Sequence, residues 1–249
     1  MKIGFIGAGE IGGTLIRQYS RAGHSVKMAN SSGTEKLKSL ALETGASAVP
    51  LADVVTDVDV IVISIPLIGI LKLPQRLFKN TSANTTIIDT SNYYPIRDGI
   101  IEDIEDGIPE SVWVSNQLQR PVIKAYNSIL YRSLVNSGLP KGAPSRLALP
   151  VSGDDKQSKD LVSILIDDSG FDCLDHGSLQ DSWRQQPGSP VYCTDLTLTQ
   201  LKKSIKKARK ELLHERRELG LTFIMKHDPE LWMDCVKHNR KIYESDLDI

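Results

Sequence analysis

The chain of 249 residues is 40% hydrophobic and 24% charged, with a formal net charge of −1 at pH 7, the balance of an ordinary globular protein rather than a disordered, fibrous or membrane-embedded one. It has no apolar run of about 18 residues, and glycines break the early apolar run where a secretion leader would continue, so a cytoplasmic protein with no membrane partner is expected. The near-neutral charge argues against nucleic acid as a partner, and Cys173, Cys193 and Cys235, far apart and without CxxC pairing, predict buried thiols rather than a disulfide framework or a metal site.

Lys2 to Ile6 is a short apolar run ending at Gly7. After it Ile11, Leu15, Tyr19 and Ala22 recur at helical spacing until Gly23, so a buried strand feeds an amphipathic helix. His24 to Ala29 reads as a second strand. The stretch SSGTEKLKSLALETG reads as a helix, with Ser32 and Glu35 as a capping box and Gly45 as its stop. Ala46 to Val49 comes next as a strand, Leu51 to Thr56 as a short helix, DVIVISIP as a buried strand, Leu67 to about Phe78 as a helix, and TTIIDTS as another strand. Val/Ile runs without polar alternation mark strands covered on both faces, hence a parallel sheet.

From Tyr93 to about Gln119 the pattern loosens, and PESVWVSNQL is its one helix. PVIKAYN resumes a strand, SILYRSLVNSG a helix and RLALPVSG a strand. DDKQSKDLVSILIDDSG is a helix with Leu161, Ile164 and Leu165 inward, and FDCLDHG is the last strand. The expected fold is α/β: a Rossmann-like, doubly wound, mainly parallel sheet of about eight strands over residues 1–178. Residues 179–249 form a loop and helical extension. Within it SWRQQPGSPVYC is a structured loop, with Trp183, Arg184 and Gln185 held rigidly to finish a pocket wall. Thr197 and Gln200 cap a long helix on which Leu198, Leu201, Ile205, Ala208, Leu212 and Leu219 form one apolar seam. The seam needs a partner, either the protein's own body or the same helix of a second copy in a homodimer. The basic residues from Lys202 to Lys210 are read as a solvated helix face rather than an RNA site. A last helix starts with Asp228 as N-cap and Pro229 in its first turn.

Gly7, Gly9 and Gly12 spell GxGxxG between a strand and a helix. The first glycine permits the tight turn, the second lets backbone approach a pyrophosphate, and the third allows close helix–strand packing, while the helix N-terminus attracts the phosphates. The motif implies a dinucleotide cofactor. An NAD site places a carboxylate about 20 residues on; here Asn30, Ser31 and Ser32 stand instead, with Lys36 nearby, which favours NADP(H). Ile65 and Pro66 form an apolar shelf at the next strand end. Thr90, Asn92, Tyr93, Tyr94, Arg97, Tyr126 and Asn127 point toward the same crevice, where open α/β sheets bind ligands. No histidine–carboxylate acid pair is evident: His24 starts a strand and His176 has a packing role. Lys124 lies within a strand, and Tyr126 and Asn127 remain as catalytic candidates. This set suits hydride positioning against an acceptor whose own ring carries the chemistry.

Taken together, IGFIGAGEIGGTL, ANSSG, VISIP, IIDTSNYYPIRDG, RPVIKAYNSI, VSGDD and WRQQPGSPVYC resemble the bacterial NADP oxidoreductase, coenzyme F420-dependent, family. That family is related to archaeal F420:NADP oxidoreductase and to the reductase domain of six-transmembrane metalloreductases. The resemblance covers roughly residues 1–193. It implies NADP(H) on Gly7, Gly9, Glu10, Ile11 and the Asn30–Ser32 turn, a nicotinamide near Ile65, Pro66 and the strand end from Ala125 to Asn127, and F420 or a flavin as small-molecule acceptor. Relatives often carry an arginine where this chain has Ser32. Two other readings stay open: imine or carbonyl reduction of the pyrroline-carboxylate-reductase or hydroxyacid-dehydrogenase type, and a non-catalytic NADPH sensor acting through the basic helix.

Overall fold

The first strand, β1 (Lys2–Ile6), lies between β2 (Ser25–Ala29) and β4 (Val60–Ile63), with Ile3 opposite both Val26 and Val60. With β3 (Ser47–Ala48), β5 (Thr86–Asp89) and β6 (Ile123–Lys124) these strands form a six-stranded parallel sheet in the order β3-β2-β1-β4-β5-β6. The order reverses between β1 and β4, which opens a crevice at their carboxyl ends. The computed structural model describes residues 1–226, 228 and 231–244.

Helices cover both faces. In chain order they are α1 (Glu10–Arg21), α2 (Lys38–Thr44), α3 (Leu51–Val54), α4 (Pro95–Asp98), α5 (Glu102–Glu105), α6 (Glu110–Leu118), α7 (Tyr131–Asn136), α8 (Lys156–Asp168), α9 (Leu198–Ser204), α10 (Leu213–Lys226) and α11 (Trp232–Glu244). Because side chains alternate along a strand, Ile3, Phe5, Val60, Val62 and Ile88 join Leu15, Ile16 and Tyr19 of α1 and Val162, Leu165 and Ile166 of α8 in one core. Ile61, Ile63 and Ile87 join Tyr93, Trp113 and Val114 in the other. Among the described residues no helix is long and apolar enough to cross a membrane.

Among the described residues the strands number eight, six in the large sheet and two apart from it. β7 (Ala148–Val151) and β8 (Asp172–Asp175) form a separate parallel pair, joined to the larger sheet by a single antiparallel bridge between Lys124 and Ser152. The reason is local: β6 stops after two residues, and Tyr126 at φ 61° turns the chain away.

Other expectations are corrected. Ser32 does not cap a helix; its N–H donates to Asn30 Oδ1 at 3.1 Å, and after Gly33 the chain makes a 3₁₀ turn, Thr34–Leu37, before α2. Gly45 does end α2, at φ 73°. No helix runs from Leu67 to Phe78: a 3₁₀ turn, Leu67–Lys72, ends at Leu73, whose ψ of 140° is the extended conformation a following proline imposes. On α8, Ile164 is 56% exposed while Val162, Leu165 and Ile166 turn inward.

The long seam helix is broken, with Ala208 and Arg209 extended at ψ 132° and 115°. Its first part docks on the body, where Leu198, Leu201 and Ile205 pack with Ala148 and Val191, and its cap forms as expected, Thr197 N–H donating to Gln200 Oε1 at 2.9 Å. α10 and α11 pack on each other, with Phe223 stacked on His238 at 3.7 Å between ring centres. Leu231 N–H donates to the Asp228 carbonyl at 2.9 Å; Pro229 lies outside the described residues.

Beneath the crevice a charged group is fully enclosed. Lys124 Nζ donates to Asp89 Oδ2 at 3.2 Å and to the Ser91 carbonyl, and both side chains are buried. Asp89 also accepts the Ser91 N–H at 2.9 Å and the Ser91 and Ser111 hydroxyls at 2.6 Å. Glu110 sits 3.8 Å from Lys124; burial, opposed by that ammonium, pushes its carboxyl up to about 7. Lys124→Met leaves Asp89 without its cation and is expected to cost about 3–5 kcal/mol in urea unfolding. Because the Glu110 carboxyl is raised on folding, its contribution is fully present below the ordinary glutamate value of 4.5 and lost as pH rises through about 7. Glu110→Gln is therefore expected to flatten the fall in stability between about pH 5 and about pH 8 that wild type shows.

Candidate functional site at the switch point

Gly7 adopts φ 99°, and its N–H donates to the Ala29 carbonyl at 2.8 Å. A Cβ on Gly7 would fall 2.2 Å from the Ser64 carbonyl oxygen, and one on Gly12 2.4 Å from the Gly7 carbonyl oxygen. Neither position can carry a side chain. Gly9 is different: a Cβ there meets nothing within 4 Å, because the residue faces open space at the start of α1. This is the arrangement of a pyrophosphate cradle, with free helix N–H groups beside a position kept bare for the ligand.

The open space is a cleft of about 430 Å³. Gly9, Glu10 and Ile11 lie at one end, with Ser64, Ile65 and Pro66 from β4, Thr90, Ser91 and Asn92 from β5, and Tyr126 and Asn127 from the end of β6 beside them. Tyr94, Arg97, Tyr192 and Cys193 close the far end. Of the predicted contacts, Gly9, Glu10, Ile11, Ile65, Pro66, Thr90, Asn92, Tyr126 and Asn127 are thus brought together. Ala125 is fully buried in the core, and Gly7 and Gly12 shape the turn from beneath. Asn30, Ser31, Ser32 and Lys36 stand at the end of β2 outside the cleft walls, with Ser31, Ser32 and Lys36 exposed.

The two catalytic candidates are tied into the protein. Tyr126 is 1% exposed, and its hydroxyl meets Tyr19 Oη at 2.7 Å and Ser169 Oγ at 3.3 Å, so it points into the core. Burial pushes this phenol well up from its usual range. Asn127 Nδ2 donates to Asn92 Oδ1 at 3.0 Å and to the Gln185 carbonyl at 2.7 Å, while its Oδ1 accepts Gln185 Nε2 at 3.0 Å. Asn92 Nδ2 donates back to the Asn127 carbonyl at 2.9 Å, and Gln185 Oε1 accepts Ser152 Oγ at 2.8 Å. Asn127 is a positioning residue that locks the ends of β5 and β6 to the carboxy-terminal loop.

Reading the residues alone places Tyr94 at this crevice but leaves out its partner: the hydroxyls of Tyr94 and Tyr192 pair at 2.7 Å. Burial pushes both phenols up, which keeps them protonated. The pairing spans 98 residues of chain, between a tyrosine the strand end places at the crevice and the Pro-pinned loop that ends at Cys193. That loop does finish the wall, but with Tyr192 and Cys193; Trp183 lines a separate cavity of about 530 Å³ beside α5 and α10, with Arg184 stacked 4.4 Å from its ring centre. His24 is bound to Asp168 at 3.0 Å, and His176, whose ring burial disfavours protonation, also lies outside the cleft walls.

Known proteins share this fold and fingerprint. Residues 2–93 match the family described as NADP oxidoreductase, coenzyme F420-dependent. The protein YjhV of Escherichia coli (strain K12) is 39% identical over 77 residues, 31% of this chain and 49% of YjhV, so the chain spans about half the length of that curated relative. Among solved structures, SMa0349 of Sinorhizobium meliloti is 27% identical and superposes with a TM-score of 0.67 over 79% of this chain and 95% of its own. An Arthrobacter sp. FB24 protein described as an F420-dependent NADP-reductase reaches 0.58 at 18% identity, over 73% and 87%. An imine reductase of Aspergillus terreus reaches 0.51 at 13% identity, over 72% of this chain and 56% of its own. The amino-terminal unit therefore resembles NADP oxidoreductases of the F420-dependent kind in sequence, and the whole α/β body shares their fold.

The glycine geometry separates folding from binding. Gly9→Val is expected to keep the thermal midpoint within a few degrees of wild type yet weaken NADPH binding by at least about 100-fold, about 2.7 kcal/mol. Gly12→Val is expected to lower the midpoint itself, because its Cβ meets backbone. Fluorescence titration of NADPH beside thermal denaturation reads both.

Proposed function

We propose that this chain is an NADP(H)-dependent oxidoreductase that moves hydride between the nicotinamide and a planar acceptor of flavin or deazaflavin type. One observation carries the reading: the cleft runs from the bare Gly9 cradle across Ile65 and Pro66 to a polar end at Asn92, Tyr94 and Tyr192. A dinucleotide on the cradle would carry its nicotinamide toward the apolar shelf, with the acceptor meeting it from the polar side. NADPH when bound supplies the hydride; the chain's own residues orient the two rings and keep water from the apolar shelf. The exposed Ser31 and Ser32 hydroxyls and the Lys36 ammonium are suited to a 2′-phosphate. The nearest carboxylate after the turn, Glu35, is engaged by Lys38 at 2.6 Å.

Among the described residues lining the cleft there is neither histidine nor lysine, which supports a reaction needing no dedicated imidazole or amine acid. The Tyr94–Tyr192 pair favours a second reading, reduction of an imine or carbonyl with a phenol as proton donor. A homodimer reading now rests on α10, whose Leu219 and Met225 are 50% and 67% exposed.

The test follows NADPH absorbance with FMN, FAD, an F420-type deazaflavin, a cyclic imine and small keto acids. The expected result is turnover of a flavin or deazaflavin only, with NADPH preferred over NADH at least about 10-fold. Turnover of the imine or keto acid that is lost in Tyr192→Phe would establish the second reading instead. Tight NADPH binding with no turnover of any acceptor would leave a sensor.

A further inference from the structure

The far end of the cleft contains a cation whose setting the proposed hydride transfer does not explain. Arg97 and Glu10 are the two charged residues among those lining the cleft, Glu10 following β1 and Arg97 following β5, two strands along the sheet. The guanidinium is fixed. Nε and Nη2 donate to the two carboxylate oxygens of Asp98 at 3.0 and 2.8 Å, and Nη2 also donates to the Asn92 carbonyl at 2.5 Å. Asp98 is itself fully buried, and accepts the Tyr94 N–H at 2.9 Å and the Ile68 N–H at 3.4 Å. The group stands 5.4 Å from the centre of the Tyr94 ring, and 42% of its side chain is open.

This arrangement leaves Nη1 with no hydrogen-bond partner among the described residues. A planar fork anchored by one edge and open at the other is prepared for a second oxyanion, since the ordering cost is already met by Asp98 and Asn92. The carboxylate of Asp98 faces Nε and Nη2, so an incoming anion meets Nη1 directly. Tyr94 and Tyr192 line the same cleft as Arg97, so a planar ring carrying an acidic substituent would meet both aromatic walls and the cation.

We infer that Arg97 is a specificity-determining residue that binds a carboxylate or phosphate on the acceptor, so the acceptor class is a planar, anionic molecule. The inference rests on the proposed function above, and the experiment separates the two. Calorimetric titration of the protein saturated with NADP⁺ would compare FMN, which carries a phosphate, carboxymethylflavin, which carries a carboxylate, and neutral riboflavin. The expected result is binding of at least one anionic flavin about 10-fold or more tighter than riboflavin, weakening with added salt while riboflavin binding does not. The FMN and carboxymethylflavin arms distinguish phosphate from carboxylate as the preferred group.

Arg97→Gln is expected to bring the anionic flavins to within about two-fold of riboflavin while NADP⁺ binding is unchanged. Because that variant leaves Asp98 buried without its cation, the double variant Arg97→Gln/Asp98→Asn removes the pair together and gives the same reading in a neutral turn. Arg97→Lys, which keeps charge but not the fork, is expected to retain part of the preference. Equal binding of all three flavins by wild type, an anion preference that survives both Gln variants, or no flavin binding to a protein that does hold NADP⁺ would overturn the assignment of Arg97. Failure of NADP⁺ itself to bind would instead remove the dinucleotide reading beneath it.

Discussion

The fold turns on one close approach, between the turn after β1 and the end of β4. The Ser64 carbonyl and the Gly7 carbonyl occupy the volume that side chains on Gly7 and Gly12 would need. This contact lets α1 begin directly above the end of the sheet with its N–H groups aimed outward. The reversal of strand order at the same place leaves an opening between the segment leaving β1 and the segment leaving β4. Backbone packing and the shape of the cleft are thus one constraint: the contact that joins α1 to the sheet also sets the floor beside Gly9.

A second layer of organisation is polar and buried. Asp89, Lys124, Ser91 and Ser111 satisfy one another below the crevice, and Asn92, Asn127, Gln185 and Ser152 do so at its edge. Such groups are costly to bury singly and specify one arrangement when each finds its partners. Here they carry the ends of β5 and β6 in register with the carboxy-terminal loop, although β6 is only two residues long. The short strand is sufficient because these side chains reinforce the backbone bonds of its end to Asp89 and Ser152.

Much of this is readable from residue order. The fingerprint, the buried strands and most helix stops come from glycine placement and apolar periodicity, and these local signals place nine of the expected contacts on one cleft. The features that escape depend on long-range geometry. The heptad-like seam looks like one helix because its spacing holds, yet Ala208 and Arg209 are extended, and the first half of the seam already has its partner in Ala148 and Val191. Tyr126 looks ligand-facing because it comes directly after a strand. Its positive φ sends the ring backward to Tyr19, a contact across 107 residues. The Tyr94–Tyr192 pair depends on where two loops 98 residues apart meet, which no local pattern encodes.

The two walls of the cleft differ in how they are anchored. Gln185 is fully buried and bonded to β6, to β7 and to Asn127, so the carboxy-terminal loop is mechanically continuous with both sheets. The segment from Asn92 to Asp98 is bonded within itself and, through side chains, to Asn127, Tyr192 and Ile68. Opening the cleft at this end therefore means breaking the side-chain bonds from Asn92 and Tyr94 to Asn127 and Tyr192, whereas the Gln185 side is tied to strands of both sheets.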